Sequence, residues 1–294
     1  MKILIEFNGL WGLGDKFCTD PIYYHLKKKY GRDTVIHSYG DNGISSHNPF
    51  WDGKKEDIHY DKVISINGFD KMPIQEYQKL ESMPSVIGHL LSYADIDCSK
   101  IEHIIPNLYL SDDEKKIAFN KFFKNNQSGE KRNLIAMCVD YYDARRHLEI
   151  RKWNKIASIL KKRGYNIVNL GLLHHLPYAD IDLVGKTNIR EAAAVLSYCY
   201  LFIGNIGLLF FIAQSLNIPC ICTFSLAIPQ RFIYGTCPVY PVQADIKCKN
   251  CMTFNMMKVA RTKYHCLMPW GILGKCMKMI SVDMMMDRIE EAFA

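Results

Sequence analysis

The sequence predicts an α/β protein built from two Rossmann-like domains. Three observations carry that expectation. Strand-like and helix-like segments alternate along the chain, the first strand runs into a glycine-rich turn, and a polar stretch near the middle separates two such series.

Residues 3–7 form a short apolar run that reads as a buried strand, followed by the turn Gly9-Leu10-Trp11-Gly12-Leu13-Gly14-Asp15. A helix is expected from about residue 20 to 30, with Pro21 in its first turn. Strands are expected at 34–38 and 62–66, and helix across 73–97 with a break near Pro84. Residues 125–132, Asn-Asn-Gln-Ser-Gly-Glu-Lys-Arg, read as a linker.

The second series begins with a strand at 133–139, a helix at 152–163 ended by Gly164, and a strand at 166–170. Asn188 with Glu191 three residues on is a capping-box signature for a helix ending near Tyr198. Strand 200–203, helix 207–216, strand 220–224 and a Met-rich helix at 282–293 complete it. The expected domains are therefore 1–128, 133–245, a cysteine-bearing segment at 246–280 and a terminal helix at 281–294. Two such α/β halves facing a cleft place ligands at the carboxyl ends of their strands.

Of 294 residues, 49% are apolar and 23% charged, which supports packed cores and excludes a disordered chain. The net charge of +7 suits an anionic ligand such as a nucleotide diphosphate, and equally serves solubility. Lys27-Lys28-Lys29 and Lys161-Lys162-Arg163 fall at expected helix ends, where cations complement the helix dipole. No basic stripe interleaved with aromatics is present, so nucleic acid is not an expected partner. No apolar run approaches the roughly 18–20 residues of a membrane span. The start, Met1-Lys2-Ile3-Leu4-Ile5-Glu6, reads as a strand and not as a signal peptide, so a cytoplasmic protein is expected.

The first constellation is Gly12-x-Gly14-Asp15, between a strand and a helix. Glycines let backbone approach a ligand, and a helix start presents N–H groups. The pattern lacks the third glycine of a dinucleotide fingerprint, and an acid there repels a pyrophosphate. Asp15 reads either as a helix N-cap or as a general base for an acceptor hydroxyl. Gly12-x-Gly14-Asp15, Pro21 and His47-Asn48-Pro49 together resemble glycosyltransferase family 9, the heptosyltransferases of GT-B fold. The resemblance implies that Asp15 is the catalytic base and that Gly12 and Gly14 lie beside the donor.

Glu149-Ile150-Arg151-Lys152-Trp153 opens a helix, where basic side chains can meet diphosphate oxygens. A solvated basic turn anchored by Trp153 is the alternative. The stretch resembles the family's Lys-x-Trp motif, with Arg151 at the Lys position and Lys152 beside it. The segment Gly185-Lys186-Thr187, then Gly204-Asn205-Ile206-Gly207 and Asn217-Ile218-Pro219, resembles the donor-binding block. That block implies donor contacts at Lys186, Asn205, Ile206 and Gly207. Its usual acid and hydroxyl residue are Asn205 and Ile206 here, and Phe210 or Phe211 stands where a His is usual.

The sharpest feature is Cys248-x2-Cys251-x14-Cys266-x9-Cys276, within a total of eleven cysteines. A Cys-x-x-Cys turn aims two thiolates at one ion, and two more complete a tetrahedral sulfur shell suited to zinc or iron. Free cysteines are the alternative, and Cys237 falls outside the spacing. The last 70 or so residues resemble the autotransporter heptosyltransferases, which carry a four-cysteine metal finger. That resemblance implies a structural metal, ADP-heptose as donor, and a protein Ser/Thr acceptor, with a lipopolysaccharide or capsule glycan as the other acceptor class. It also implies a homo-oligomer. The expected activity is transfer of a sugar from a nucleotide-diphosphate donor to a hydroxyl. The alternative is a degenerate module that binds the nucleotide-sugar and does not turn it over.

Overall fold

The structure is a computed structural model of the 294-residue chain. It describes residues 1–8, 13–40, 44–67, 86–97, 106–124, 133–141, 146–225, 228–246 and 274–294, with Leu13, Asp15, Asn67 and Val86 described by backbone alone. The chain divides into two compact units, Met1–Ser111 with Gln230–Gly235, and Asp112–Pro229 with Thr236–Ala294.

The first unit holds a parallel sheet. Strand β1 (Lys2–Asn8) is followed by the short helix α1 (Leu13–Phe17), α2 (Pro21–Tyr30), β2 (Val35–Tyr39), β3 (Gly53–Lys54), β4 (Lys62–Asn67) and α3 (Val86–Ser92). The sheet order is β3-β2-β1-β4, every pairing parallel. Ile3, Leu4 and Ile5 are all buried, as expected of a parallel strand covered on both faces. Helix α2 buries Ile22, Tyr23 and Leu26 and leaves Lys27, Lys28 and Lys29 at its carboxyl end, against the negative end of its dipole. Of the helix expected across 73–97, α3 is what the described residues carry; 73–85 lie outside them.

The second unit holds a parallel sheet ordered β10-β9-β8-β5-β6-β7. Its elements are α4 (Asp112–Phe122), β5 (Leu134–Cys138), α5 (Ile150–Lys162), β6 (Asn166–Asn169), β7 (Ile181–Asp182), α6 (Ile189–Leu196), β8 (Leu201–Asn205), α7 (Leu208–Ser215) and β9 (Cys220–Phe224). A 3-10 turn (Pro229–Arg231), β10 (Val239–Gln243), α8 (Lys275–Met279) and α9 (Val282–Phe293) complete it. Trp153, Ile156, Ala157 and Leu160 fall at helical spacing and bury the inner face of α5. They pack with Ile135, Met137, Ile167, Ile203 and Ile221 of the sheet and with Met285 and Ile289 of α9. Among the described residues, no helix is long and apolar enough to cross a membrane.

In each sheet the strand order reverses beside the first strand of its series. The reversal falls between β1 and β4 in the first unit and between β5 and β8 in the second. The carboxyl ends of strands at such a reversal are where open α/β sheets bind ligands.

The capping box opening α6 is formed as its sequence signature indicates. The Asn188 side chain accepts from Glu191 N at 2.8 Å, and Glu191 Oε2 accepts from Asn188 N at 2.9 Å. Lys121 of α4 donates to Glu191 at 2.7 Å, which holds the Glu191 carboxyl below its ordinary value. Asn188→Ala removes one half of this reciprocal pair. It is expected to lower unfolding stability by about 1 kcal/mol, read by urea denaturation with an unchanged slope.

Candidate functional site

In the first unit, Gly14 and Asp15 are the second and third residues of α1, on the connection that leaves the carboxyl end of β1. Gly12 and the Asp15 side chain lie outside the described residues. The N-cap alternative for Asp15 does not hold, because the helix already includes the two residues before it. Lys16 Nζ donates to Gly40 O at 2.5 Å, tying α1 to the residue that follows β2. Thr19 Oγ1 donates to Lys16 O at 2.6 Å and closes the end of α1.

Five residues beyond Asp15, Asp20 is 5% exposed. Its two oxygens accept from Asn48 Nδ2 at 2.5 Å and from Asn107 N at 3.0 Å. Asn48 Oδ1 in turn accepts from Phe50 N at 2.8 Å, so the His47-Asn48-Pro49 turn, α2 and the 106–109 segment meet at one carboxylate. Burial raises the Asp20 pKa to about 7, outweighing the two hydrogen bonds that lower it.

In the second unit, the carboxyl edge at the β5–β8 reversal is built around Asp140, two residues past β5. Its carboxylate accepts from three successive backbone N–H groups, those of Leu172, Leu173 and His174, and lies 3.1 Å from His174 Nδ1. The loop after β6 therefore wraps its amides around an acid from the loop after β5. Gly171 is required there: its φ is +139°, and an added Cβ would run into the Asp140 carboxylate. The Tyr141 ring lies 4.2 Å from that of His147 and 5.1 Å from that of His174. Burial, with the neighbouring His174, lowers the His147 pKa and favours its neutral form. Leu172 and Leu173 stand 71% and 63% exposed over the same edge.

Asn205, the last residue of β8, is buried and fully engaged. Its Nδ2 donates to Val139 O at 3.2 Å and Asp140 O at 3.0 Å, and its Oδ1 accepts from Thr223 Oγ1 at 2.6 Å. The side chain is thus a strut joining the ends of β5, β8 and β9. One residue earlier, a Cβ on Gly204 would stand 2.5 Å from Cys138 O, so the strand tolerates only glycine at this crossing. Ile206 is half-buried, and Gly207 is the residue before α7. An added Cβ at Gly207 meets no described atom within 4 Å, which leaves the α7 amino terminus open to an approaching group.

The basic residues named in the sequence analysis are placed differently from one another. Arg151 opens α5, is 80% exposed, and donates to Glu149 at 2.7 Å. That bond holds the Glu149 carboxyl below its ordinary value. Lys152 turns elsewhere: its ammonium donates to Lys278 O at 2.7 Å and Ile280 O at 2.8 Å, at the end of α8. Lys186 is exposed and donates to Asp182 O at 2.8 Å. Tyr141, Asp140, His147 and His174 are not among the residues the sequence marks. An acid directly after an apolar strand, Met137-Cys138-Val139-Asp140, was the available signal for the cluster.

Of the four cysteines, Cys248, Cys251 and Cys266 lie outside the described residues. Cys276 lies in α8 and packs into the core of the second unit. Among the described residues no group of three or more potential ligands could hold a metal ion.

The model of glycosyltransferase family 9 (heptosyltransferase) matches residues 96–262, more than half of the chain. The chain belongs to glycosyltransferase family 9. It is accordingly a glycosyltransferase, with a family match that spans the β5–β8 edge and the first two cysteines of the cluster. The turn carrying Asp15 lies outside the matched span. The fold agrees with solved family 9 structures. A family 9 glycosyl transferase from Veillonella parvula DSM 2008 superposes with a TM-score of 0.73 at 13% identity, covering 99% of this chain and 96% of that one. ADP-heptose lps heptosyltransferase II of E. coli gives 0.67 at 13%, covering 99% and 98%. TibC, an iron-containing dodecameric glycosyltransferase of enterotoxigenic E. coli H10407, gives 0.73 at 14%, covering 99% and 76%. No curated protein sequence matches the chain.

Proposed function

We propose that this family 9 enzyme transfers heptose from ADP-heptose to a hydroxyl of a protein or a cell-surface glycan. The observation that supports it best is the β5–β8 edge. There an open helix amino terminus at Gly207 shares the carboxyl ends of the strands with Arg151, Lys186 and the Asp140–His174 loop clamp. Related folds bear on the donor: E. coli heptosyltransferase II is named for ADP-heptose, and TibC has been solved in complex with ADP-D-beta-D-heptose.

In this reading the second unit holds the donor and Asp15 is the base. Asp15 takes the proton of the acceptor hydroxyl as its oxygen bonds to the anomeric carbon. The bond from that carbon to the diphosphate breaks, and ADP leaves with the electron pair. The first-turn N–H groups of α7, with Arg151 and Lys186, offset the charge growing on the diphosphate. Asn205 acts as a strut that fixes the strand ends beneath that charge, and Gly12 and Gly14 are proposed as donor contacts. Lys152 contributes by holding α8 to α5.

Calorimetry and ADP release measured with ADP-heptose, UDP-sugars and GDP-sugars test this reading. ADP-heptose is expected to bind in preference and to release ADP when acceptor is added. Binding without release under any acceptor favours the degenerate module, a reading motivated by Asn205 and Ile206 at the block's acid and hydroxyl positions. Failure to bind any nucleotide-sugar removes both.

The four cysteines are proposed to hold one structural iron or zinc, and the chain to self-associate; TibC is iron-containing and dodecameric. Protein purified without chelator is expected to carry about one metal per chain. Cys248→Ser with Cys251→Ser is expected to abolish that content, measured by plasma emission. Equal metal in both samples removes the site.

A further inference from the structure

We propose that Cys220 and Cys237 form a dithiol that closes reversibly to a disulfide and fastens the two ends of a crossover segment together. The proposal stands apart from sugar transfer. Cys237 lies outside the four-cysteine spacing, and neither thiol has a part in the reaction above.

The two sulfurs converge on one oxygen. Cys220 Sγ donates to Ile218 O at 3.1 Å and Cys237 Sγ to the same oxygen at 3.0 Å. The backbone explains the convergence. Cys220 opens β9 opposite Val239 of β10, and its N–H donates to Pro238 O at 2.9 Å. Cys237 stands two residues before Val239, on the segment that leads into β10. Cys222, the other thiol of β9, is placed differently: its Sγ donates to its neighbour's carbonyl, Thr223 O, at 3.8 Å.

Position along the chain gives the pair its consequence. Residues Gln230–Gly235 belong to the first unit, while the chain before and after belongs to the second. Cys220 precedes this excursion and Cys237 follows its last residue by two. A bond between them closes the excursion into a ring anchored on β9.

The two thiols also differ in reach. Cys237 sits in a turn whose neighbours Gly235, Thr236 and Pro238 are exposed, and it is 6% exposed itself; Cys220 is fully buried. The Cys220 thiol beside it holds the Cys237 thiol below its ordinary value, while burial pushes Cys220 up. Cys237 is therefore the attacking thiolate. With a small-molecule disulfide as oxidant, the Cys237 thiolate bonds to one of its sulfurs and expels the other half as a thiolate. Cys220, losing its proton, then bonds to Cys237 Sγ and expels the second half. One small disulfide becomes two thiols, and the protein loses two hydrogens.

The test uses the full folded chain treated with oxidised glutathione and then digested for peptide mass mapping. The expected product is a linked peptide joining Cys220 and Cys237, with two fewer titratable thiols, reversed by dithiothreitol. Cys237→Ser is expected to lose that peptide and Cys222→Ser to keep it, each with the circular dichroism of the parent. Three outcomes overturn the proposal: links confined to other cysteines, Cys237 carrying glutathione with no link, or Cys237 recovered unreacted from folded protein.

Discussion

Asp15→Asn is expected to lower turnover by about 10²–10⁴-fold, with the affinity for the nucleotide-sugar unchanged. The amide keeps the size and the polarity of the carboxyl group and cannot accept a proton at neutral pH. The expectation rests on where the backbone places residue 15: on the connection after β1, beside the strand whose two neighbours run to opposite sides of the sheet. That is the position from which an open α/β sheet reaches its ligand. An acid at the third residue of a helix also favours the dipole by about 0.3–1 kcal/mol, so a small change in stability is expected alongside. The two effects separate cleanly. A structural role moves the unfolding midpoint and leaves the kcat of the folded fraction intact. A base role lowers kcat, removes the acid limb of the pH–rate profile, and leaves calorimetric donor binding as in the parent. Asp15→Glu tests placement, since it restores the proton acceptor one methylene further out. Full turnover by Asp15→Asn would remove Asp15 from the chemistry.

What the sequence disclosed followed from local pattern. The parallel strands β1, β4, β5, β8 and β9 are short apolar runs bounded by turn residues, so period and composition suffice to find them. The α6 cap was legible because both partners lie within one turn of each other. Strands β3 and β7 were not, being two residues long and extended only by pairing with a neighbour already in place. Strand β10 contains Pro241, which argues against a strand until it is seen to be an edge. Helix α4 carries Asp112, Asp113 and Glu114 in its first turn and a single fully buried residue, Ala118, so no apolar stripe announced it. The Asp140–His174 clamp joins residues 34 apart across two loops, and no spacing rule connects them. Asn205 shows the opposite failure. Its position in the donor block was legible, but its role as a strut depends on Val139, Asp140 and Thr223, which arrive only when three strands align.

Stability is expected to fall as pH rises from about 4 to 7, through Asp20. The carboxyl is raised from 3.8 to about 7 in the folded protein, because burial penalises its charge more than Asn48 and Asn107 favour it. The folded state therefore binds more protons than the unfolded chain across that window. Its contribution is fully present below pH 3.8 and is lost as pH rises through 7. A displacement of this size corresponds to about 4 kcal/mol for a group buried this deeply. Glu149 and Glu191, lowered by Arg151 and Lys121, act in the opposite sense at acid pH, so the measurement must be a difference between proteins. Asp20→Asn supplies it. The amide never ionises, which removes the pH-dependent penalty. It also offers one acceptor to two donors, Asn48 Nδ2 and Asn107 N. Asn48 cannot turn its own oxygen inward, because that oxygen is held by Phe50 N. One buried donor is left unsatisfied, at a cost of about 1–3 kcal/mol at every pH. The variant is thus expected to be less stable than the parent at pH 5 and equal to it or more stable at pH 8, with the two stability curves crossing between. Parallel curves in urea unfolding at matched ionic strength would show that the Asp20 carboxyl titrates as it does in the unfolded chain.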